Sequence, residues 1–187
     1  LCRKLHKSCA EVRGAEELLG RGCLVADDLA TLGMILQTNG LPRLRDLYLG
    51  GSDFGDAGVQ ALCEGLSRGA APSLRLLSLN CNKFGPAGAE ALAAALGRGA
   101  MPRLELVSLQ GNPIGNRGVA ALAAPLRKLP ALKELFLNNC EIGDEGVASL
   151  VDNLGKGDFK ALKHLYLGSN KITDAGMVKI VAAIDAG

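Results

Sequence analysis

The sequence predicts an α/β repeat solenoid, in which short parallel strands form an inner sheet and helices cover the outside. Two observations predict this fold class. Five similar segments follow one another at steps of 30, 30, 28 and 30 residues, beginning at Leu44, Leu74, Leu104, Leu132 and Leu162. Each segment also changes its hydrophobic period halfway, from the alternation of a strand to the spacing of a helix.

The first half of each segment carries the strand signal. With the starting leucine as position 0, apolar residues stand at positions 3 and 5 around a variable position 4, as Val107 and Leu109 do in the third segment. Because every strand is reached through the same helical crossover, we expect the strands to pair in parallel. Five strands would make a sheet about 19 Å wide, with positions 2, 4 and 6 on its concave face.

The second half of each segment carries the helix signal. Positions 15, 18 and 22 are apolar, for example Val119, Leu122 and Leu126, and this spacing places them on one helix face. Pro125 lies inside the third helix and lacks a backbone N–H, so we expect that helix to end early or to kink there.

A glycine-rich turn joins the two halves, and it resembles a loop that could bind phosphate. The turn recurs in every segment, so we interpret it as architecture. Position 14 is always glycine: Gly58, Gly88, Gly118, Gly146 and Gly176. We expect this glycine to let neighbouring helices approach closely. Position 12 is always a residue that favours helix starts, and we interpret it as an N-cap or first helical residue: Asp56, Pro86, Asn116, Asp144 and Asp174.

The two ends of the chain depart from the pattern. Residues 1–43 are predicted to form an N-terminal cap, with one amphipathic helix over 1–19 and the helix half of a repeat over 24–43. The fifth helix would leave an apolar flank bare, so either the chain continues or a partner covers that end. Since the first residue is Leu, we expect the natural N-terminus to lie before it. The removal of a targeting peptide stays an open alternative. One continuous domain then holds five repeats, at 44–73, 74–103, 104–131, 132–161 and 162–187.

The repeated motif, LxxLxLxxN/CxIGDxGaxaLaxaL, resembles the leucine-rich repeat family over residues 44–187, and specifically its ribonuclease-inhibitor-like subfamily. The resemblance implies a horseshoe-shaped, right-handed β-α superhelix that binds proteins. The motif is also similar to the repeat arms of NOD-like receptors and to Ran GTPase-activating proteins. Position 8, where the family uses Asn or Cys to satisfy the backbone of the turn, holds Ser52 in the first repeat, and we expect Ser52 to do this less well.

Composition narrows the class of partner and the compartment. The chain has 21 basic and 19 acidic residues and a net charge of +2, which gives no reason to expect binding to nucleic acid or to a membrane surface. No apolar run approaches the roughly 18–20 residues of a membrane span. The six cysteines form no Cys-x-x-Cys pair, and we interpret them as small buried hydrophobes of a cytoplasmic or other reducing compartment. In a helix Cys2 and Cys9 would lie about 10 Å apart, beyond disulfide reach.

The sequence predicts neither catalytic nor metal-binding residues, and no cofactor. The chain has two histidines, and a nucleophilic site needs a thiol or hydroxyl within about 3 Å of a base. In the repeat register His164 stands at position 2 and Cys140 at position 8, which places them at opposite ends of the strands. The Cys and His residues are too scattered to assemble a metal site. We therefore predict that the protein is not an enzyme.

The concave face is the predicted protein-binding surface. Three of the six aromatic residues stand at position 4, and those on adjacent strands, Phe136 and Tyr166, should touch. Aromatic anchors inside a polar rim are typical of binding hot spots. The alternative is that aromatic residues simply favour strands. The predicted site consists of Asp46, Tyr48, Leu76, Leu106, Glu134, Phe136, His164 and Tyr166.

A second candidate is a basic edge at the start of the strands, interrupted by Glu105. A functional interpretation is that the edge steers an acidic partner. The alternative is an ordinary solvated surface, since exposed charges are the norm. Its residues are Arg43, Arg45, Arg75, Arg103, Lys133 and Lys163.

Three functions remain open from the sequence. The leading one is a non-enzymatic interaction module or scaffold that binds a protein partner and belongs to a larger protein or complex. The second is a GTPase-activating accessory of the Ran type. The third is a purely structural spacer, in which the repeats only set a distance.

Overall fold

The computed structural model describes residues 1–38 and 40–185, and it has one parallel sheet of six strands in chain order. The strands are β1 (Glu17–Leu19), β2 (Asp46–Tyr48), β3 (Leu76–Ser78), β4 (Leu106–Ser108), β5 (Glu134–Phe136) and β6 (His164–Tyr166). The helices are α1 (Cys9–Gly14), α2 (Ala26–Gln37), α3 (Gly55–Glu64), α4 (Pro86–Gly97), α5 (Gly115–Arg127), α6 (Asp144–Val151) and α7 (Asp174–Asp185). The predicted fold class, an α/β solenoid, is confirmed.

The strands align without register shifts, and this alignment builds the core. Position 3 of each strand lies beside position 3 of its neighbours, so that Leu47, Leu77, Val107 and Leu135 form one row of fully buried side chains. The apolar positions of the helices meet these rows from the other side, and consecutive helices from α2 to α7 pack against one another. Each repeat therefore buries its apolar face mainly against its two neighbours.

The N-terminal region differs from the sequence prediction. The helix predicted over residues 1–19 is wrong: α1 is short, and Glu17–Leu19 forms β1, so the sheet has six strands rather than five. Ser8 caps α1 in a capping box with Glu11, and the helix ends at Gly14. The next residues are extended because they pair with β2, with Leu18 beside Leu47. Pairing with the neighbouring strand therefore decides the local structure here.

A ladder of polar side chains at position 8 holds the turns after the strands. The amide of Asn82 donates to the carbonyls of Leu49 and Leu79, at 2.8 and 2.9 Å, and its oxygen accepts from the backbone N–H of Ser52. Asn112 and Asn170 make the same pattern of bonds one and three repeats later. Ser52 makes fewer bonds, as its shorter side chain leads us to expect: its hydroxyl donates to the carbonyl of Gly20 at 3.1 Å and accepts from the N–H of Leu24 at 3.4 Å.

Three of the turn residues at position 12, Asp56, Asn116 and Asp144, cap the helix of the next repeat. Asp56 lies inside the first turn of α3, and its carboxylate accepts from the N–H groups of Gly85 and Gly88, at the start of α4. Asn116 on α5 and Asp144 on α6 likewise accept from the start of the following helix. The N-cap role predicted for Asp56, Asn116 and Asp144 in their own helices is therefore wrong, and these side chains join consecutive repeats. Pro86, Asp144 and Asp174 are the first residues of their helices, as predicted.

The constant glycine lies where two helices approach each other. A Cβ added at Gly118 would lie 2.9 Å from the Cβ of Ile114 and 3.0 Å from that of Ala89, on the preceding helix. The interpretation of this glycine as a close-approach position is confirmed at Gly88, Gly118, Gly146 and Gly176, whereas the nearest atoms at Gly58 belong to Phe54 of the same repeat. The helix does not end early at Pro125, because α5 continues to Arg127 with Leu126 fully buried, and the alternative outcome, a kink at Pro125, stays a prediction.

Candidate binding surface

Two rows of side chains cross the concave face of the sheet, because positions 2 and 4 alternate with the buried position 3. The row at position 2 contains Glu17, Asp46, Leu76, Leu106, Glu134 and His164. The row at position 4 contains Leu19, Tyr48, Ser78, Ser108, Phe136 and Tyr166. All eight predicted site residues therefore lie in these two rows.

An aromatic stack lies at one end of the face. The rings of Phe136 and Tyr166 are nearly parallel, 10° apart, with their centroids separated by 4.2 Å. His164 extends the group, with its ring 6.1 Å from that of Tyr166. Tyr166 is 39% exposed, so the stack presents an open aromatic surface. The predicted contact between Phe136 and Tyr166 is present, because parallel pairing places the two residues directly side by side.

Tyr48 does not belong to this stack. Three strand spacings, roughly 14 Å, separate it from Phe136. Its neighbours come from the N-terminal layer: the guanidinium of Arg21 lies 5.0 Å from the centre of its ring, and Leu19 beside it is 51% exposed. Cation–π contacts of this geometry are favourable. The face therefore has two aromatic patches instead of one.

The region between the patches is apolar at position 2 and polar at position 4. Leu76 and Leu106 are neighbours in register and are both half-buried. Ser78 is buried, and its hydroxyl donates to the side chain of Asn80. Acidic residues lie beyond the leucines on either side, at Asp46 and Glu134.

The sequence interpretation missed Glu17, Leu19 and Arg21, because it placed residues 1–19 in a helix. A signal for β1 exists in the sequence. Residues 17–20, ELLG, stand 29 residues before DLYL at 46–49, and this step is close to the repeat length. The segment is easily overlooked because Gly20 occupies position 5, where all five other repeats have leucine.

The strand entrances carry both signs of charge. Glu105 pairs with Arg75 at 3.4 Å and with Lys133 at 2.5 Å, and Glu16 pairs with Arg45 at 3.4 Å. The bond from Lys133 lowers the pKa of the Glu105 carboxyl. Within residues 1–38 and 40–185, the other basic-edge side chains form no ion pair: Arg43, Arg103 and Lys163. Three of the six basic side chains of the predicted edge thus have an acidic neighbour, which favours the interpretation as a solvated surface.

Cysteines differ in their capacity to react. Burial raises the pKa of the Cys63 thiol to about 12 and that of Cys140 to about 11, which keeps both thiols protonated near neutral pH. Cys9, Cys23 and Cys81 are exposed and Cys2 is half-buried, so the interpretation of the cysteines as buried hydrophobes is wrong for these four. In the part of the chain that the structure describes, no three Cys, His, Asp or Glu side chains are grouped as metal ligands would be.

A parallel inner sheet with one outer helix per repeat and a half-exposed concave face defines the class of repeat solenoids. A family model described as "Leucine Rich repeat" matches residues 41–63, 70–93, 102–123, 128–151 and 161–181. These segments make up more than half of the sequence, and the chain belongs to the leucine-rich repeat family.

Comparison with solved structures gives a match to the crystal structure of a TLR13-ssRNA13 complex, with 18% sequence identity and a TM-score of 0.35. The match covers 92% of this chain and 32% of that one, so the chain spans about a third of the length of that structure's chain. No curated protein matches the sequence. Among the described residues, no helix has both the length and the apolar character needed to cross a membrane.

Proposed function

We propose that the protein is a non-enzymatic interaction module that binds a protein partner on its concave face. The stacked pair of Phe136 and Tyr166 carries this proposal. Both rings lie on strands that are fixed by pairing on the same sheet, so binding would order few side chains. An aromatic surface that is rigid and open before binding has the character of a hot spot.

The neighbouring groups define the partner's expected chemistry. The aromatic stack adjoins the carboxylate of Glu134 at position 2, while Leu76 and Leu106 add apolar area further along the row. A partner that places an apolar side chain on the stack and a basic group near Glu134 would satisfy both. Tyr48, with Arg21 and Leu19, offers a second contact across the sheet.

We also assign the chain to the ribonuclease-inhibitor-like subfamily and to a reducing compartment. Repeats of 28 to 30 residues, each with an outer helix, support the subfamily. Two buried cysteines without disulfides, Cys63 and Cys140, support the compartment. On the surface that the structure describes, no residue favours a Ran-type GTPase-activating accessory or a spacer over the interaction module.

The test compares three variants as baits in quantitative pull-downs from native extract. Phe136→Ala/Tyr166→Ala removes the stack, Tyr48→Ala removes the second patch, and Val25→Ala/Met34→Ala is the matched control on exposed residues of and beside α2. We expect the first variant to lose partners that the wild type and the control retain. The loss for Tyr48→Ala should be smaller, since one ring is removed instead of two.

Undiminished recovery of every partner by the double aromatic variant would contradict the proposal and would favour the spacer. Equal losses with the control variant would also contradict it, since binding would then not depend on the concave face. A Ran GTPase-activation assay on the same proteins separates the remaining alternative: stimulated GTP hydrolysis would replace the interaction module with an accessory role.

A further inference from the structure

The thiols of Cys2 and Cys9 lie together at the N-terminal end of the molecule, with 3.3 Å between their sulfur atoms. The expected separation of about 10 Å assumed a continuous helix over both residues, and that assumption is wrong. Residues 1–7 instead form tight turns, in which the N–H of Leu5 bonds to the carbonyl of Leu1 and that of Lys7 to the carbonyl of Cys2. These turns bring Cys2 back to the first residue of α1, which is Cys9.

Both cysteines are held by contacts that do not involve their thiols. Cys9 follows Ser8, the residue that caps α1, and the capping box with Glu11 fixes the start of that helix. Cys2 belongs to a turn that is anchored by the buried side chain of Leu5 and by the ion pair between Lys4 and Asp28, at 2.7 Å. The two sulfur atoms therefore lie near each other without a disulfide between them.

Small reagents can reach the pair. The two cysteines line a cavity of about 550 Å³ together with Arg13 and Ile35, and Cys9 is exposed. The hydrogen bond between the thiols raises the pKa of Cys2. Cys9 is exposed whereas Cys2 is half-buried, so Cys9 is the thiol that a reagent meets first.

We propose that Cys2 and Cys9 form a thiol–disulfide exchange site, which a low-molecular-weight disulfide such as glutathione disulfide converts to an intramolecular disulfide. The Cys9 thiolate attacks one sulfur of glutathione disulfide and releases one glutathione thiolate. The Cys2 thiolate then attacks the Cys9 sulfur of the mixed disulfide and releases the second. Each cysteine gives up one proton, each released glutathione takes up one, and the two electrons reduce glutathione disulfide.

The sulfur atoms must move closer by about 1.3 Å to reach bonding distance, a shift that a turn and a helix start accommodate more easily than a packed core does. The closed loop would contain the eight residues 2–9. Such a loop removes freedom from the unfolded chain and would tie the first turn to α1. Oxidation of the pair would therefore stabilise the N-terminal layer, and reduction would remove that stabilisation.

Cys81 provides an internal comparison. It is exposed like Cys9, and its thiol lies near the buried Cys140, whose high pKa keeps it unreactive. Glutathione disulfide should therefore leave a stable glutathione adduct on Cys81. At Cys9 the same adduct should be displaced by Cys2.

The experiment treats the protein with glutathione disulfide, blocks remaining thiols by alkylation, and maps disulfides by mass spectrometry of the intact protein and its peptides. We expect a peptide pair joined through Cys2 and Cys9 with two hydrogen atoms fewer, and a glutathione adduct on Cys81. In Cys2→Ser the adduct should persist on Cys9. Cys81→Ser, the matched control, should form the internal disulfide as the wild type does.

Stable glutathione adducts on both Cys2 and Cys9 of the wild type would overturn the proposal. So would a disulfide that joins either residue to Cys23, whose sulfur lies 3.6 Å from the carbonyl oxygen of Lys4. No reaction at the pair under conditions that modify Cys81 would overturn it too. Each result is read from the masses, and none depends on a binding partner.

Discussion

At the scale of single residues, the constant glycine of each repeat is a packing requirement, and Gly118 is the clearest case. A side chain there would meet Ile114 and Ala89 within about 3 Å, and both are buried. We expect Gly118→Val to lower the free energy of unfolding by about 1–3 kcal/mol, the usual range for overpacking. Urea unfolding of the wild type and the variant measures this difference in the free energy of unfolding. Gly97→Val is the control, since nothing lies within 4 Å of a Cβ at Gly97, and equal losses in both variants would refute the packing role.

The ladder at position 8 gives a second residue-scale prediction. Asn82 is fully buried, and Asn82→Ala would leave the carbonyl of Leu49 and the N–H of Ser52 without this partner, while the carbonyl of Leu79 would keep only its bond from Asn112. We expect a loss of stability of about 1–3 kcal/mol. Ser52→Ala should cost less, because Ser52 donates one bond. If thermal unfolding shows that Ser52→Ala lowers stability more than Asn82→Ala does, the hydrogen bonds of the ladder do not explain the contribution of position 8 to stability.

Residue-level predictions from the sequence succeeded where they depended on repeat register. Register alone places Tyr48, Phe136 and Tyr166 on the same face, because position 4 is equivalent in every repeat. It could not show that Tyr48 stands apart with Arg21, since that contact depends on β1. The approach of Cys2 to Cys9 could not be predicted from the sequence either, because it depends on irregular turns that leave no periodic signal.

At the scale of elements, carboxylates join consecutive helices by capping the helix of the next repeat. The stabilisation that Asp144 provides in this way depends on pH. The hydroxyl and backbone N–H of Thr173 donate to Asp144 and lower the pKa of its carboxyl below 3.8. The stabilisation is therefore present above pH 3.8 and is lost as the pH falls through the lower, folded-state pKa. Other carboxylates titrate in the same range, so the effect of Asp144 must be isolated by difference.

We expect the stability difference between wild type and Asp144→Asn to favour the wild type at pH 7 and to shrink towards pH 3. Asparagine keeps the acceptor oxygen but carries no charge, so it cannot reproduce the dependence on pH. Urea unfolding at a series of pH values measures the difference. Parallel curves for the two proteins would show that Asp144 ionises in the same way in the folded and unfolded states.

The caps also explain which elements the sequence could predict. Helices α2 to α7 follow from local periodicity, because their buried residues recur at helical spacing. Which helix a side chain caps depends on tertiary structure. Asp56 has the sequence position of an N-cap for its own helix, yet its carboxylate accepts from N–H groups of the neighbouring helix. Strand β1 has one buried side chain, Leu18, and its structure comes from pairing with β2 rather than from its own pattern.

At the scale of the whole molecule, stability is expected to be uneven, because the layers of a solenoid are supported only by their neighbours. The N-terminal layer is covered by Leu5 and Val12, which are buried in front of it. The layer of β6 and α7 has described neighbours on one side, and its apolar residues Leu165 and Leu167 are half-buried, whereas their equivalents Leu135 and Leu137 are fully buried.

Hydrogen exchange should therefore be graded along these 187 residues. We expect the amides of β6 and α7 to exchange fastest among the paired elements, those of β3, β4 and the helices after them slowest, and those of β1 and α2 at intermediate rates. Local opening of an outer layer breaks one interface, while opening of a middle layer breaks two, so the free energy of opening rises towards the centre. Exchange followed by mass spectrometry at peptide resolution measures the gradient. Uniform protection across all layers would mean that the repeats unfold as a single cooperative unit, and that the half-buried C-terminal layer is as firmly held as the centre.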